Sequence, residues 1–137
     1  KGCGRTVIPA EVSTIGDMAF CGASMPDNLV IPEGVCSIGD NAFSGCDILT
    51  LRLPRSLQRL GNSAFSGCRR LGVVEMSGTE LHVGWSAFEH CRSLCAVRLP
   101  RHTIYGSNVF RHTPYQAVYE RGIGTSCCEV DTGCSTR

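Results

Sequence analysis

Charge is scarce in this chain: 18% of its 137 residues are Asp, Glu, Lys or Arg, and lysine occurs once, at Lys1. Aromatic side chains are few as well, with five phenylalanines, three tyrosines and one tryptophan. Nucleic-acid binding wants a net basic face carrying rings on which bases stack, and five of the nine rings are phenylalanines assigned to the core, so no nucleic-acid partner is expected. No apolar run approaches the roughly 20 residues of a membrane span, and no charged, apolar, small-residue leader opens the chain. No membrane span is expected, therefore, and an exported protein would already have lost its signal. Wholesale disorder is excluded by the 42% of hydrophobic residues, which are spread along the whole length. They suffice for one folded domain with a core, in a chain too short for two ordinary domains.

The near-neutral total of +1 hides a gradient. Residues 1–50 carry two basic and six acidic side chains, a balance of −4, whereas residues 51–121 carry ten arginines and four glutamates, a balance of +6. The last sixteen residues carry −1. Twelve of the thirteen basic residues are arginine, whose planar fork suits fixed hydrogen bonding better than a flexible ammonium. Exposed ion pairs are weak, so a solvated surface accounts for much of this pattern. Head-to-tail self-association, acidic half against basic half, is the competing reading.

What the chain has in abundance is self-similarity. The segments Ile15-Gly16-Asp17-Met18-Ala19-Phe20, Ile38-Gly39-Asp40-Asn41-Ala42-Phe43, Leu60-Gly61-Asn62-Ser63-Ala64-Phe65, Val83-Gly84-Trp85-Ser86-Ala87-Phe88 and Tyr105-Gly106-Ser107-Asn108-Val109-Phe110 share one register. Their glycines advance by 23, 22, 23 and 22 residues, a regularity that marks a stack of repeated coils. In each unit an apolar residue ends an extended segment and glycine is expected to permit a turn with φ > 0. Asp17, Asp40, Asn62 and Ser107 are expected to cap a short helical piece, a pattern that Trp85 breaks. Alanine lets neighbouring coils approach, and the five phenylalanines should stack as an aromatic spine. The second half of each unit reads as a strand, over 27–32, 49–53, 73–76 and 96–99, closed by proline in three of the four cases. One unit cannot bury its own apolar face; stacking supplies the missing wall.

The order apolar-Gly-polar-x-Ala-Phe-x-x-Cys-x-x-Leu, followed by a short strand ending in Leu-Pro, resembles the leucine-rich repeats of the BspA-like, or Treponema pallidum-type, family. The match is best from Val35 to Pro100, through Phe43-Ser44-Gly45-Cys46, Phe65-Ser66-Gly67-Cys68 and Phe88-Glu89-His90-Cys91. The first copy departs with Ala23 and Pro26, the fifth with Val109, Thr113 and Pro114-Tyr115, as end units that cap a solenoid would. The resemblance implies an α/β repeat fold: a leucine-rich-repeat solenoid of about five coils, with a parallel sheet on one face and short helical or irregular turns on the other. Residues 1–121 are expected to form this solenoid with degenerate end repeats, and 122–137 a Cys-rich C-terminal tail. The segment Tyr115-Gln116-Ala117-Val118-Tyr119 alternates like a strand and is expected to close the basic end as a last rung. The abrupt start at Lys1-Gly2-Cys3, before a partial repeat, leads one to expect truncation or processing.

Ten cysteines point to an oxidising compartment unless the thiols are structural or bind metal. Cys46, Cys68 and Cys91 share one repeat site and should form an interior ladder of neutral thiols bonded to loop carbonyls. Cys3, Cys21, Cys36, Cys95, Cys127, Cys128 and Cys134 lie outside it, and a disulfide clamping the tail to the last coil, with Cys95 the nearest candidate, is expected. Zinc wants paired C-x2-C ligands, and the chain offers only the looser Cys91-Arg92-Ser93-Leu94-Cys95. His90 and His112 should be neighbours on successive coils, a weak metal or pH-sensitive pair or simply loop histidines, and no metal ligand is assigned. The cysteines mostly follow the structural period, and the Ser-Gly-Cys turns lack a phosphate-loop lysine, so no catalytic residue, cofactor or enzymatic activity is expected.

The resemblance implies an exported protein of the periplasm, cell envelope or cell surface, working as a binding module in adhesion or protein–protein contact. A structural self-assembling envelope component and a carbohydrate-binding receptor are the alternatives. Strand alternation turns Val30, Arg52, Glu75 and Arg98 outward in one row, beside Asn28, Thr50, Val73 and Ala96. Arg55 and Arg101 follow the strand-ending prolines. The binding residues expected are therefore Thr50, Arg52, Arg55, Val73, Glu75, Arg98 and Arg101. They form a basic face suited to another protein, of host or envelope origin, or to an acidic surface or glycan. A salt-bridge ladder satisfied within the molecule is the alternative for the same row.

Overall fold

Two ladders of short parallel strands, wound in the same sense, build the molecule. The computed structural model describes residues 8–121. In chain order its strands are β1 (Thr14–Ile15), β2 (Asn28–Val30), β3 (Ser37–Ile38), β4 (Thr50–Leu53), β5 (Arg59–Leu60), β6 (Val73–Met76), β7 (Glu80–Val83), β8 (Ala96–Arg98) and β9 (His102–Tyr105). The helix α1 (Tyr115–Arg121) follows. Sheet order is β2-β4-β6-β8 on one side and β1-β3-β5-β7-β9 on another, all parallel, in a solenoid of about four full turns. The four-stranded sheet is the one expected from the sequence, with the register Val30↔Arg52↔Glu75↔Arg98 as anticipated. The second sheet is an addition, made of the extended segments that precede each repeat glycine.

Irregular turns form the remaining side, and there the glycines act otherwise than expected. Positive φ falls two residues later, on Met18, Asn41, Ser63, Ser86 and Asn108. A Cβ on Gly61 would instead collide with the Gly39–Asp40 peptide of the preceding coil, and one on Gly84 with Asn62. Gly16 has open space at that point. Close approach of backbone to backbone is therefore what requires glycine here. The capping expectation also changes. Asp17 Oδ1 accepts from the Asp40 N–H at 2.8 Å, Asp40 Oδ1 from Asn62 N–H at 2.9 Å and Asn62 Oδ1 from Trp85 N–H at 3.0 Å. These side chains tie coil to coil and do not cap their own turns.

The core is the expected spine. Phe20, Phe43, Phe65, Phe88 and Phe110 stack at 5.1, 5.0, 5.6 and 5.9 Å between ring centres, all within 10° of parallel. Around it pack the inward residues of both sheets, among them Leu29, Leu51, Val74, Ile38, Leu60 and Leu81. Alternate N–H groups of the turns complete the inter-coil bonding, as in Phe43 N–H to Ala64 C=O at 2.8 Å and Phe65 N–H to Ala87 C=O at 2.8 Å.

The closing segment is a helix, not a strand. Thr113 caps it, its hydroxyl accepting the Gln116 N–H at 3.1 Å, and Pro114 stands at the first helical position, where a missing N–H costs nothing. Helical spacing brings Tyr115 and Tyr119 onto one side, against Phe110 at 4.9 and 5.0 Å. Gln116 also supplies the acceptor that the next coil's carbonyl supplies elsewhere in the stack. Gly22, Gly45, Gly67 and His90 donate their N–H to Ser44, Ser66, Glu89 and Arg111 carbonyls, and His112 N–H donates to Gln116 Oε1 at 3.2 Å. The tail 122–137, with its expected disulfide clamp, lies outside the described residues, as does Cys3.

Candidate functional site

The outer face of the four-stranded sheet gathers most of the residues expected to bind. Alternation along β4 buries Leu51 and Leu53 and leaves Arg52 exposed; along β6 it buries Val74 and Met76 and leaves Glu75 half-buried. Arg52 Nη2 donates to Glu75 Oε1 at 3.1 Å, an ion pair with both partners in solvent. Arg98 stands in register with Glu75 from the other side, and among the described residues it makes no ion pair. The row is thus half a ladder: one carboxylate, one arginine held by it, one arginine over. Thr50 Oγ1 donates to Asn28 Oδ1 at 2.8 Å, and Val73 lies half-buried beside them.

The apolar end of the row is Val30, 59% exposed. Asn28, Val30, Thr50, Arg52, Val73 and Glu75 line one shallow depression on this face. Arg101 is exposed in the turn beyond β8. Arg55 points elsewhere: it borders a second depression of about 800 Å³ with Arg59, Glu80 and His82, on the side of the five-stranded sheet. The sequence pattern marks that surface poorly: β5 is only two residues long, and β7, although Glu80 and His82 alternate outward along it, runs into Gly84 with no closing proline.

The reactive groups lie elsewhere, in the interior. Cys46, Cys68 and Cys91 are buried free thiols, and each donates to the carbonyl of the phenylalanine one coil back, Phe20, Phe43 and Phe65, at 3.0, 3.2 and 3.1 Å. Burial pushes the Cys46 thiol up to about 11. Cys68 is raised as well, by the neighbouring Cys91 thiol and by burial, and Tyr105 by burial and by Tyr115 and Tyr119. A catalytic thiol needs the opposite shift and a base beside it. Cys21, Cys36 and Cys95 are exposed and free. Cys95 Sγ reaches only the Gly72 carbonyl, at 3.7 Å, while Cys91 is committed inside, so the two do not converge on one ion.

The family model for a BspA-type leucine-rich repeat region matches residues 3–116, in six copies. The chain belongs to the BspA-type leucine-rich repeat family. The period, the Phe spine and the parallel register described above are the physical content of that membership. No curated protein and no solved structure matches the chain. As a BspA-type repeat protein it has the fold of a protein-interaction module, a scaffold that typically binds and does not catalyse. Among the described residues no helix is long and apolar enough to cross a membrane.

Proposed function

We propose that this BspA-type repeat protein is an exported or surface-located binding module that engages another protein, of host or envelope origin, through the outer face of its four-stranded sheet. One observation carries the reading: in the row Val30, Arg52, Glu75, Arg98 a single carboxylate faces two arginines, and Arg98 has no ion-pair partner among the described residues. With Arg101 nearby in sequence, the far end of the face is basic and prefers an acidic patch on the partner. Such exposed charges steer association more than they hold a complex together.

The test uses the purified, oxidised protein to capture partners from host and envelope proteins, followed by association kinetics at two salt concentrations. Replacing Arg52 and Arg98 by Ser should leave folding intact and slow association, with loss of its salt dependence. An unchanged rate and salt dependence in the double variant would move the interface to the depression around Arg59 and His82. A strong hit on a sugar array would favour a glycan receptor.

A second reading, head-to-tail assembly, draws on the charge gradient. Residues 8–50 carry six acidic and no basic side chains, and residues 51–121 a balance of +6, so the described stack runs from an acidic to a basic end. Sedimentation that shows association at low salt and monomers at high salt would favour this reading.

A further inference from the structure

Two residues past each core phenylalanine the backbone is left-handed in all five coils. Glycine fills this place in the first three, with φ of 70° at Gly22, 74° at Gly45 and 76° at Gly67. In the last two it is histidine, His90 at 65° and His112 at 62°. A side chain with a Cβ is disfavoured there, and glycine meets the backbone requirement without penalty. Met18, Asn41, Ser63, Ser86 and Asn108 show that the fold tolerates such residues elsewhere, so it is the histidine side chains themselves, on adjacent coils where three others carry glycine, that call for an account.

The side chains converge. The imidazoles of His90 and His112 stack with ring centres 4.7 Å apart and planes 11° from parallel. Glu89, the residue before His90, turns its carboxylate to the same spot, with Oε2 3.5 Å from His90 Nε2. One ligating atom from each of the three residues lies within 4.8 Å of the other two. Glu89 is largely shielded, its side chain 17% exposed, and among the described residues the other charge on it is the exposed Arg111, whose Nε is 4.0 Å away. Arg111 is free to swing into solvent.

The geometry points to a binding site for a divalent transition-metal ion of the zinc class, formed by Glu89, His90 and His112, with water completing the coordination. Two neutral imidazoles and a carboxylate are the donor set that zinc, nickel and copper take, and one that calcium and magnesium avoid. Ligands about 2.1 Å from a tetrahedral ion are about 3.4 Å apart, close to the spacing of Glu89 and His90. Closing the third bond needs only a tilt of the exposed His112 ring out of the stack. The ion would clamp the fourth coil to the fifth, next to the turn that leads into α1.

The fold itself supplies the control. His90→Gly and His112→Gly restore the residue that the first three coils carry, so each variant loses a ligand and keeps its backbone. With thiols kept reduced by a non-chelating phosphine, the parent should bind one equivalent of cobalt(II) without an intense thiolate-to-metal charge-transfer band. Zinc should compete with the cobalt and raise the melting temperature. Each glycine variant should bind at least about tenfold more weakly, since loss of a ligand costs more than loss of an outer-sphere partner, and should lose the zinc-dependent rise. Cobalt and zinc affinities unchanged in both variants, a strong thiolate band in the parent, or no binding by the parent would each overturn the assignment.

Discussion

The rings of Phe43 and Phe65 lie 5.0 Å apart centre to centre and 2° from parallel, the tightest step of the spine. Adjacent parallel strands are about 4.8 Å apart, so the rings rise with the coils and stay in contact on both faces. Phe65→Ala should therefore cost about 3–5 kcal/mol, measured by urea unfolding, because a fully buried ring leaves a cavity walled by two others. Phe20→Ala, at the partly exposed end, should cost clearly less. Equal losses at the two positions would contradict a continuous spine.

The glycines separate two mechanisms that a sequence cannot distinguish. Gly61→Ala drives a methyl group into the backbone of the preceding coil and should destabilise by about 1–3 kcal/mol or more. Gly45→Ala meets no atom but sits at φ 74°, and should cost about 1–2 kcal/mol. Gly16→Ala has neither problem and should stay within about 0.5 kcal/mol of the parent. Thermal melts of the three variants give the order directly.

Alkaline pH should unfold the molecule from inside. The Cys46 thiol has its ordinary value of 9.0 raised to about 11 in the fold. The unfolded chain therefore releases this proton first, and the stabilisation present below pH 9 is lost as pH rises towards 11. Cys68 and Tyr105 are shifted in the same direction. Denaturant midpoints should fall between pH 9 and 11, less steeply in Cys46→Ala than in the parent. A midpoint constant over that range would argue against neutral buried thiols.

Removing residues 114–137 should uncover Phe110 and Tyr105, which α1 now covers through Tyr115 and Tyr119. Aggregation in light scattering is the expected result, as for any solenoid stripped of its cap. A soluble monomer would show that the fifth coil is itself a sufficient end.

The stack was legible because glycine and phenylalanine recur at one period and each coil must bury the same face. The row Val30, Arg52, Glu75, Arg98 followed from strand alternation alone. Two-residue strands such as Ser37–Ile38 carry no alternation, and the longer Glu80–Val83 and His102–Tyr105 run into a glycine with no closing proline, so the second sheet and the depression beside Arg59 did not show. Tyr115 to Tyr119 reads equally as period two and as a helical i, i+4 pair. The deciding signal was Thr113-Pro114 with Gln116 at the third helical position, a helix start that capping chemistry explains. The adjacency of His90 and His112 could be read from the period, whereas the carboxylate of Glu89 beside them required the fold.

Both sheets and the turn bonds run their hydrogen bonds along the stacking direction, from one coil to the next. Tension applied along that direction therefore loads the rungs in series, and the weakest interface yields while the others hold. The molecule would lengthen in steps, each freeing one coil of 22 or 23 residues, or about 75 Å of extended chain. A repeat protein built this way gives under load in short steps and keeps the remaining coils folded.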